Sequence, residues 1–369
     1  MTRKGKANVR NKTDARLTPY DVKFIGTLAE RPRLEVSEPR PLTPEEVHAN
    51  NVSMCEFGKA ILDMHRWVPV FRGDLKCMNS NKVGRPYDFS DSLIFWILSF
   101  MAVTDSTFRL VSGMASAIMG LFGMASPSYS RLCERSIQVA DRLFGYDSDD
   151  GSGILTMVVC DNVSDRVRRV GIDSSGMNMS DTTLWKAKKW KVAPKNRGWL
   201  KLHALSDVDS GEIIAYIISN EKVGDCPLLK VLVSAAMDKG HRFECVYADG
   251  AYASDDNWKF LCQENPFRFV TSFKCNTKPT NNGCLARGEA ARLWCSMSYP
   301  DWVKVSGYGT RWKCEVVFSD LKRIFRETVK ARTLAGAVRE VCMKIREFND
   351  YKEIRANIMG ISGNGIPLA

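Results

Sequence analysis

Three carboxylates in this sequence stand where metal-assisted phosphoryl chemistry would need them. Asp173 falls mid-strand in VGIDSS, a position where an unpaired acid is costly if its face is buried. Asp249 closes a short apolar run in CVYADGAY, just before a glycine turn. Acids at strand ends of an α/β sheet lie where ligands usually bind. Glu315 lies on a helix predicted from about Thr310 to Thr328. On that helix Val317, Leu321, Ile324 and Thr328 form a packing stripe, with Arg311, Glu315, Ser319, Lys322 and Arg326 roughly opposite. Taken alone, the charged face would simply meet water, with Arg311 and Glu315 as an i,i+4 pair. Taken with Asp173 and Asp249, it offers a third acid to a common centre.

Converging acids repel one another unless a cation sits between them. Oxygen ligands of this kind suit Mg²⁺ or Mn²⁺, and two such ions per site can activate a water or a 3′-hydroxyl and steady the leaving oxygen of a phosphodiester. That chemistry needs neither histidine nor a cysteine nucleophile. The scarcity of histidine, four residues in all, therefore counts nothing against it. The twelve cysteines include no CxxC pair. Cys275, Cys284 and Cys295 cluster loosely without a partner at a familiar spacing, so they are read as buried thiols rather than a metal site.

The acids need a scaffold. Residues 1–50 read as a basic, proline-interrupted leader, either a solvated tail or an arm following phosphates. Residues 51–150 read as a helical domain, with Ser90 capping a helix that holds Leu93, Ile94, Phe95, Ile97, Leu98 and Met101. A second helix is expected from about Thr107 to Ala117. Ser126-Pro127 then reads as the cap and first turn of a helix carrying Tyr129, Arg131, Arg135 and Gln138. That composition suits a helix entering a major groove, making Arg131 and Arg135 candidate DNA contacts; the alternative is a packing helix. The acidic, glycine-rich DSDDGSG at 147–153 marks a domain boundary.

Beyond it, residues 165–357 alternate strands and helices. Strands are expected over 168–179, 243–248 and 267–272, and a hairpin over 200–206 and 212–219. Helices are expected over 225–237, 255–262 and 335–355. Residues 274–307 read as a small irregular insertion, and 358–369 as a tail.

The segment YGTRWKCEVVFSDLK sets Tyr308, Arg311, Glu315 and Lys322 with two, three and six residues between them. It resembles the signature of insertion-sequence DDE transposases, which have an RNase H-like catalytic domain. VGIDSS and YADGAY resemble that family's two aspartate strands, and GWLKLHALSDVDSGEIIA its Lys-x-His hairpin, with Gly224-Asp225 opening the next helix. The resemblance covers roughly Gly84 to Arg355. It implies an RNase H-like mixed sheet flanked by helices behind a helix-turn-helix-like N-terminal domain. It also implies that Asp173, Asp249 and Glu315 hold two divalent ions, that Arg311 and Lys322 contact DNA phosphates, and that Tyr308 helps position the strand.

Outside the signature, Thr182 to His203 holds Lys186, Lys188, Lys189, Lys191, Lys195, Arg197 and Lys201 without one acid. Trp185, Trp190 and Trp199 interleave with them, as in a segment tracking a phosphate backbone with indoles available for stacking. The plainer reading is a solvated loop with its tryptophans in the core. His203 reads as a core or hairpin histidine, and Asp225 as a helix cap or an acid supporting the centre.

The length, 369 residues, is that of about two domains plus tails. With 44% hydrophobic and 10% aromatic residues, it excludes global disorder. A net charge of +11 points to a polyanionic partner. The apolar runs at 93–103 and 110–127 fall short of a membrane span, so DNA rather than membrane is the expected partner. Unpaired thiols and a polar, basic N-terminus suggest the cytoplasm, with nucleoid association when bound to DNA. The expected activity is cleavage and strand transfer at terminal inverted repeats, by a dimer or higher assembly on DNA and with no small-molecule substrate. Its rivals are a catalytically silent DNA-binding descendant and an RNase H-like nuclease without strand transfer.

Overall fold

The strand around Asp173 forms where the sequence places it, at the middle of a six-stranded sheet. The structure, a computed structural model, describes residues 43–145, 152–179, 199–280, 283–331 and 333–359. The strands are β1 (Ile154–Val159), β2 (Val167–Asn178), β3 (Trp199–Asp207), β4 (Ile213–Asn220), β5 (Arg242–Ala248) and β6 (Arg268–Thr271). Their order is β1-β4-β3-β2-β5-β6. Strands β2, β3 and β4 form an antiparallel meander, and β5 and β6 run parallel to β2. Three antiparallel strands followed by two parallel ones make an RNase H-like sheet, with β1 added antiparallel at the β4 edge. The sequence reading does not include β1, whose short apolar run ILTMVV carries no alternation to mark it.

Among the described residues five helices precede the sheet: α1 (Pro44–Leu62), α2 (Met64–Asn79), α3 (Asp91–Thr104), α4 (Phe108–Leu121) and α5 (Tyr129–Phe144). Helix α1 opens on a capping box. The Glu46 N–H donates to Thr43 Oγ1 at 3.2 Å, and the Thr43 N–H donates to Glu46 Oε2 at 2.8 Å. Ser90 caps α3 as read, accepting the Leu93 N–H at 3.1 Å. The helix expected to open at Ser126-Pro127 begins two residues later, capped by Ser128. The Pro127 carbonyl instead accepts from Ser112 Oγ at 3.0 Å, which holds the proline in the loop.

Residues from His48 onward form one compact unit. Trp96, Phe71, Val111 and Leu132 of the helical segment lie in the same buried cluster as Leu202 and Tyr216 of the sheet. The acidic stretch expected to mark a domain boundary, 147–153, lies mostly outside the described residues. Helix α3 is buried, and α4 turns 118° away from it. Among the described residues no single helix is long and apolar enough to cross a membrane.

The sheet's other face is covered by α6 (Leu228–Asp238) and by α7 (Asp255–Lys259), which runs on as a π turn over Phe260–Glu264. The region expected to be irregular holds two helices, α8 (Leu285–Ser296) and α9 (Tyr299–Ser306). Few of their residues are buried, and they cohere through rings: Trp294 and Trp302 meet edge-on at 4.6 Å between centroids. Helices α10 (Trp312–Phe325) and α11 (Leu334–Ile358) complete the fold.

On α11, Glu347 is only 3% exposed. Burial, reinforced by Asp350, pushes its carboxyl up to about 7, against the relief given by Ser99 and Arg346. An acid whose folded pKa is raised favours the fold most when protonated. Its contribution is complete below its unfolded value near 4.5 and is lost as pH rises through about 7. Glu347→Gln should therefore stabilise the protein at pH 8 by up to about 3 kcal/mol and leave it unchanged at pH 4. Urea midpoints at the two pH values measure this; equal shifts at both would contradict it.

Candidate active site

Parallel pairing of β2 with β5 brings two of the acids together. The register aligns Ile172 with Ala248, and Asp173 and Asp249 each lie one residue further on. Both therefore sit at the edge where β5 and β6 end, the edge at which ligands meet an α/β sheet. The Asp173 Oδ1 atom accepts the Ser174 N–H at 2.8 Å, and Asp249 Oδ1 accepts the Gly250 N–H at 2.6 Å. Thr271 Oγ1, at the end of β6, donates to the Asp249 carbonyl at 2.9 Å.

Glu315 arrives on the first turn of α10, which is fastened to β2 at both ends. Near its start, Cys314 is buried against Gly171, where an added Cβ would fall 1.9 Å from the Cys314 sulfur. Only a residue without a Cβ admits the helix this closely. Beyond its end, the Asn178 N–H donates to the Glu327 carbonyl, and the Val329 N–H to the Asn178 carbonyl, both at 2.9 Å. Val317 and Leu321 are buried as the stripe predicts, Ile324 is partly so, and Thr328 lies past the helix on an exposed bridge to Asn178.

Arg311 joins the acids. Its Nη2 lies 2.5 Å from Glu315 Oε1 and its Nη1 3.9 Å from Asp173 Oδ2, with the guanidinium over the Tyr308 ring. Burial pushes the Asp173 carboxyl up; the Ser174 N–H and Arg311 pull it down, and Glu315 and Asp249 push it up again. Its net position is above the usual carboxylate range. The repulsion among the three acids is thus felt at Asp173, the least exposed of the group at 23% against 52% for Glu315.

Other residues singled out in the sequence serve different ends. Tyr308 is buried, and its hydroxyl donates to Ser272 Oγ at 3.2 Å. It anchors the turn before α10 to the end of β6. Lys322 lies about 10 Å further along α10 from Glu315 and is half-buried. Lys201 is turned inward, with its Nζ 2.8 Å from Asp225 Oδ1 and donating to the Val223 carbonyl at 3.2 Å. The Arg135 side chain is 8% exposed, paired with Asp91 and stacked over Tyr87. Arg131 remains on the surface, 3.0 Å from Glu134. Lys186, Lys188, Lys189, Lys191 and Arg197 lie outside the described residues. Of the loosely clustered thiols, Cys284 is buried, whereas Cys275 and Cys295 are exposed.

Two further polar residues are buried: Tyr252, and His203, which the sequence presents as a core or hairpin histidine. Tyr252 is buried, and its hydroxyl has no hydrogen-bond partner among the described residues. Burial, then Asp225, Asp173 and Asp249, push its pKa upward. His203 is fully buried, and burial pushes it down to about 4, so it is neutral at physiological pH.

The donor set fits a hard divalent cation. It consists of carboxylate oxygens, one of them partly desolvated and pressed by its neighbours. Among the described residues no three acid, histidine or cysteine side chains already stand at ligating spacing. Glu315, which is exposed, faces Arg311 and would have to turn to close the set.

Sheet order and clustered acids define the class of site: a carboxylate centre on an RNase H-like scaffold. Residues 168–346 match the family model described as the transposase DDE domain, a span that contains all three acids. The match supports a DDE transposase. Two solved structures overlap much of the chain at low similarity. One is a piggyBac transposase synaptic complex with hairpin DNA, 10% identical, covering 86% of this chain and 82% of that one with a TM-score of 0.35. The other is a Drosophila P element transposase strand transfer complex, 13% identical, covering 78% and 70% with a TM-score of 0.31. No curated protein matches the sequence.

Proposed function

We propose that this protein is a transposase of the insertion-sequence type that binds the terminal inverted repeats of its element, cuts them and joins the ends to target DNA. The observation that carries the reading is the gathering of Asp173, Asp249 and Glu315 from β2, the end of β5 and α10 at one sheet edge, inside the span that matches the transposase DDE domain. Those three residues would hold Mg²⁺ or Mn²⁺, two ions per site, which when bound make a water or 3′-hydroxyl nucleophilic and stabilise the leaving oxygen.

The chain's own residues supply the rest. The Ser174 and Gly250 N–H groups fix the Asp173 and Asp249 carboxylates, so that each presents its other oxygen to the centre. Arg311, drawn toward a phosphate, would release Glu315 and hold the scissile strand by its charge. Lys322 lies further along the same helix, where it would meet a neighbouring phosphate. The basic stretch from Lys186 to Arg197 extends the DNA path, and two ends joined together call for at least a homodimer on DNA.

The test is to incubate the protein with its element ends, Mg²⁺ and a target plasmid, then resolve the products. Joined molecules are expected. Nicking without joining would make it a nuclease, and binding without nicking a silent descendant.

A further inference from the structure

Converging carboxylates need a positive charge among them, and the chain carries one of its own at the centre. Arg311 Nη2 lies 2.5 Å from Glu315 Oε1, and Arg311 Nη1 lies 3.9 Å from Asp173 Oδ2. Asp173 Oδ1 already accepts the Ser174 N–H at 2.8 Å, so Oδ2 is the oxygen that remains for a metal. It is also the oxygen turned to Arg311. The guanidinium thus stands between two of the oxygens that a divalent ion would use.

An ion pair between exposed side chains would be too weak to withhold either partner from a metal. This one is held more firmly. The Arg311 side chain is only 20% exposed, and its guanidinium carbon lies 5.7 Å from the centre of the Tyr308 ring. That ring is itself fixed. It is buried beside Trp302, at 4.9 Å between centroids, and its hydroxyl donates to Ser272 Oγ at 3.2 Å. Arg311 is therefore held by an aromatic face and by acids from two elements, and it leaves them only for a better anion. A DNA phosphate is one, since it accepts two parallel hydrogen bonds from a guanidinium. Glu315, exposed on the first turn of α10, is then released to turn inward.

We infer that Arg311 withholds Glu315 from the metal until a DNA phosphate takes the guanidinium, so that metal and DNA load the centre cooperatively. This rests on the reading of the three acids as a divalent-metal site and adds a control to it. Such coupling is reciprocal: the factor that DNA adds to metal affinity is the factor that metal adds to DNA affinity. A centre complete in its three acids then forms where DNA lies across it.

The full-length protein is titrated with Mn²⁺, the free ion being followed by electron paramagnetic resonance. The titration is repeated with a duplex of the element end, and a titration of the duplex by itself is subtracted. Melting curves on the same preparations report folding. Glu315→Gln should cost little Mn²⁺ affinity in the DNA-free protein and about fivefold more, or beyond, once DNA is bound. Arg311→Gln should raise the Mn²⁺ affinity of the DNA-free protein about fivefold or more. That gain should vanish when Glu315→Gln is added, because no carboxylate is left to release. A gain undiminished in the double variant would mean that Arg311 acts on the metal by charge alone, and would overturn the inference. So would no gain with Arg311→Gln, or a cost of Glu315→Gln that is no larger with DNA than without it. If Arg311→Gln does not fold, the Glu315→Gln comparison decides by itself, since it leaves Arg311 and Tyr308 in place. A parent protein that binds no Mn²⁺ in either titration would instead sink the metal-site reading, and this inference with it.

Discussion

Asp173→Asn, Asp249→Asn and Glu315→Gln should each lower metal-dependent nicking of element ends by about a thousandfold or more, with DNA binding nearly unchanged. The amides keep shape and remove charge, so the change is confined to what the centre can hold. Binding draws on phosphate contacts spread along the chain, of which these acids are no part. For Asp173 the stability change also has a definite sign. Its folded pKa lies above the usual value, so its ionised form opposes folding at neutral pH, and the amide should be at least as stable as the parent. Lost activity in a variant that melts no earlier cannot then be ascribed to unfolding. Gel-based nicking assays with melting curves on the same preparations decide the matter, and undiminished nicking by any one of the three removes that residue from the centre.

How far this site was legible in the sequence depended on whether the signal was local. Asp173 and Asp249 were readable because each follows an apolar strand whose residues declare themselves within a few positions. Glu315 was readable from its fixed spacing to Tyr308, Arg311 and Lys322, and from the stripe that buries Val317 and Leu321. The hairpin of β3 and β4 and a mixed sheet were read from the same strands; the pairing of β2 with β3 and with β5 was not. What failed was the use of charge. Arg135 and Lys201 looked like free cations along the chain, but each meets an acid distant in sequence, Asp91 and Asp225, once the fold closes. No window of sequence contains those pairs. Helices α8 and α9 were missed because they are held by a few aromatic contacts in place of a continuous apolar face.

The least legible determinant is Gly171, and it sets the second large effect. Written in VGIDSS it passes for an ordinary strand glycine, yet it is where α10 comes down onto β2. Replacing it with alanine puts a methyl carbon 1.9 Å from the Cys314 sulfur, a distance no packed pair can keep. Either the Cys314 side chain rotates within a space already bounded by Val208, or the helix lifts and carries Glu315 away from Asp173. Overpacking of this kind costs about 1–3 kcal/mol. A shift of about 1 Å at a reacting centre can cost a further factor of about 100 in rate. Gly171→Ala should therefore lower both the urea midpoint and the nicking rate. The sulfur is the obstacle, since the Cys314 Cβ would stand 3.5 Å from the new methyl, an ordinary contact. Adding Cys314→Ala should accordingly restore most of both losses, although Cys314→Ala alone leaves a small cavity and is mildly destabilising. Such a rescue is a coupling that only residues in contact can show. If the double variant is as impaired as Gly171→Ala, or if Gly171→Ala behaves as the parent, the approach of α10 to β2 does not set the position of Glu315.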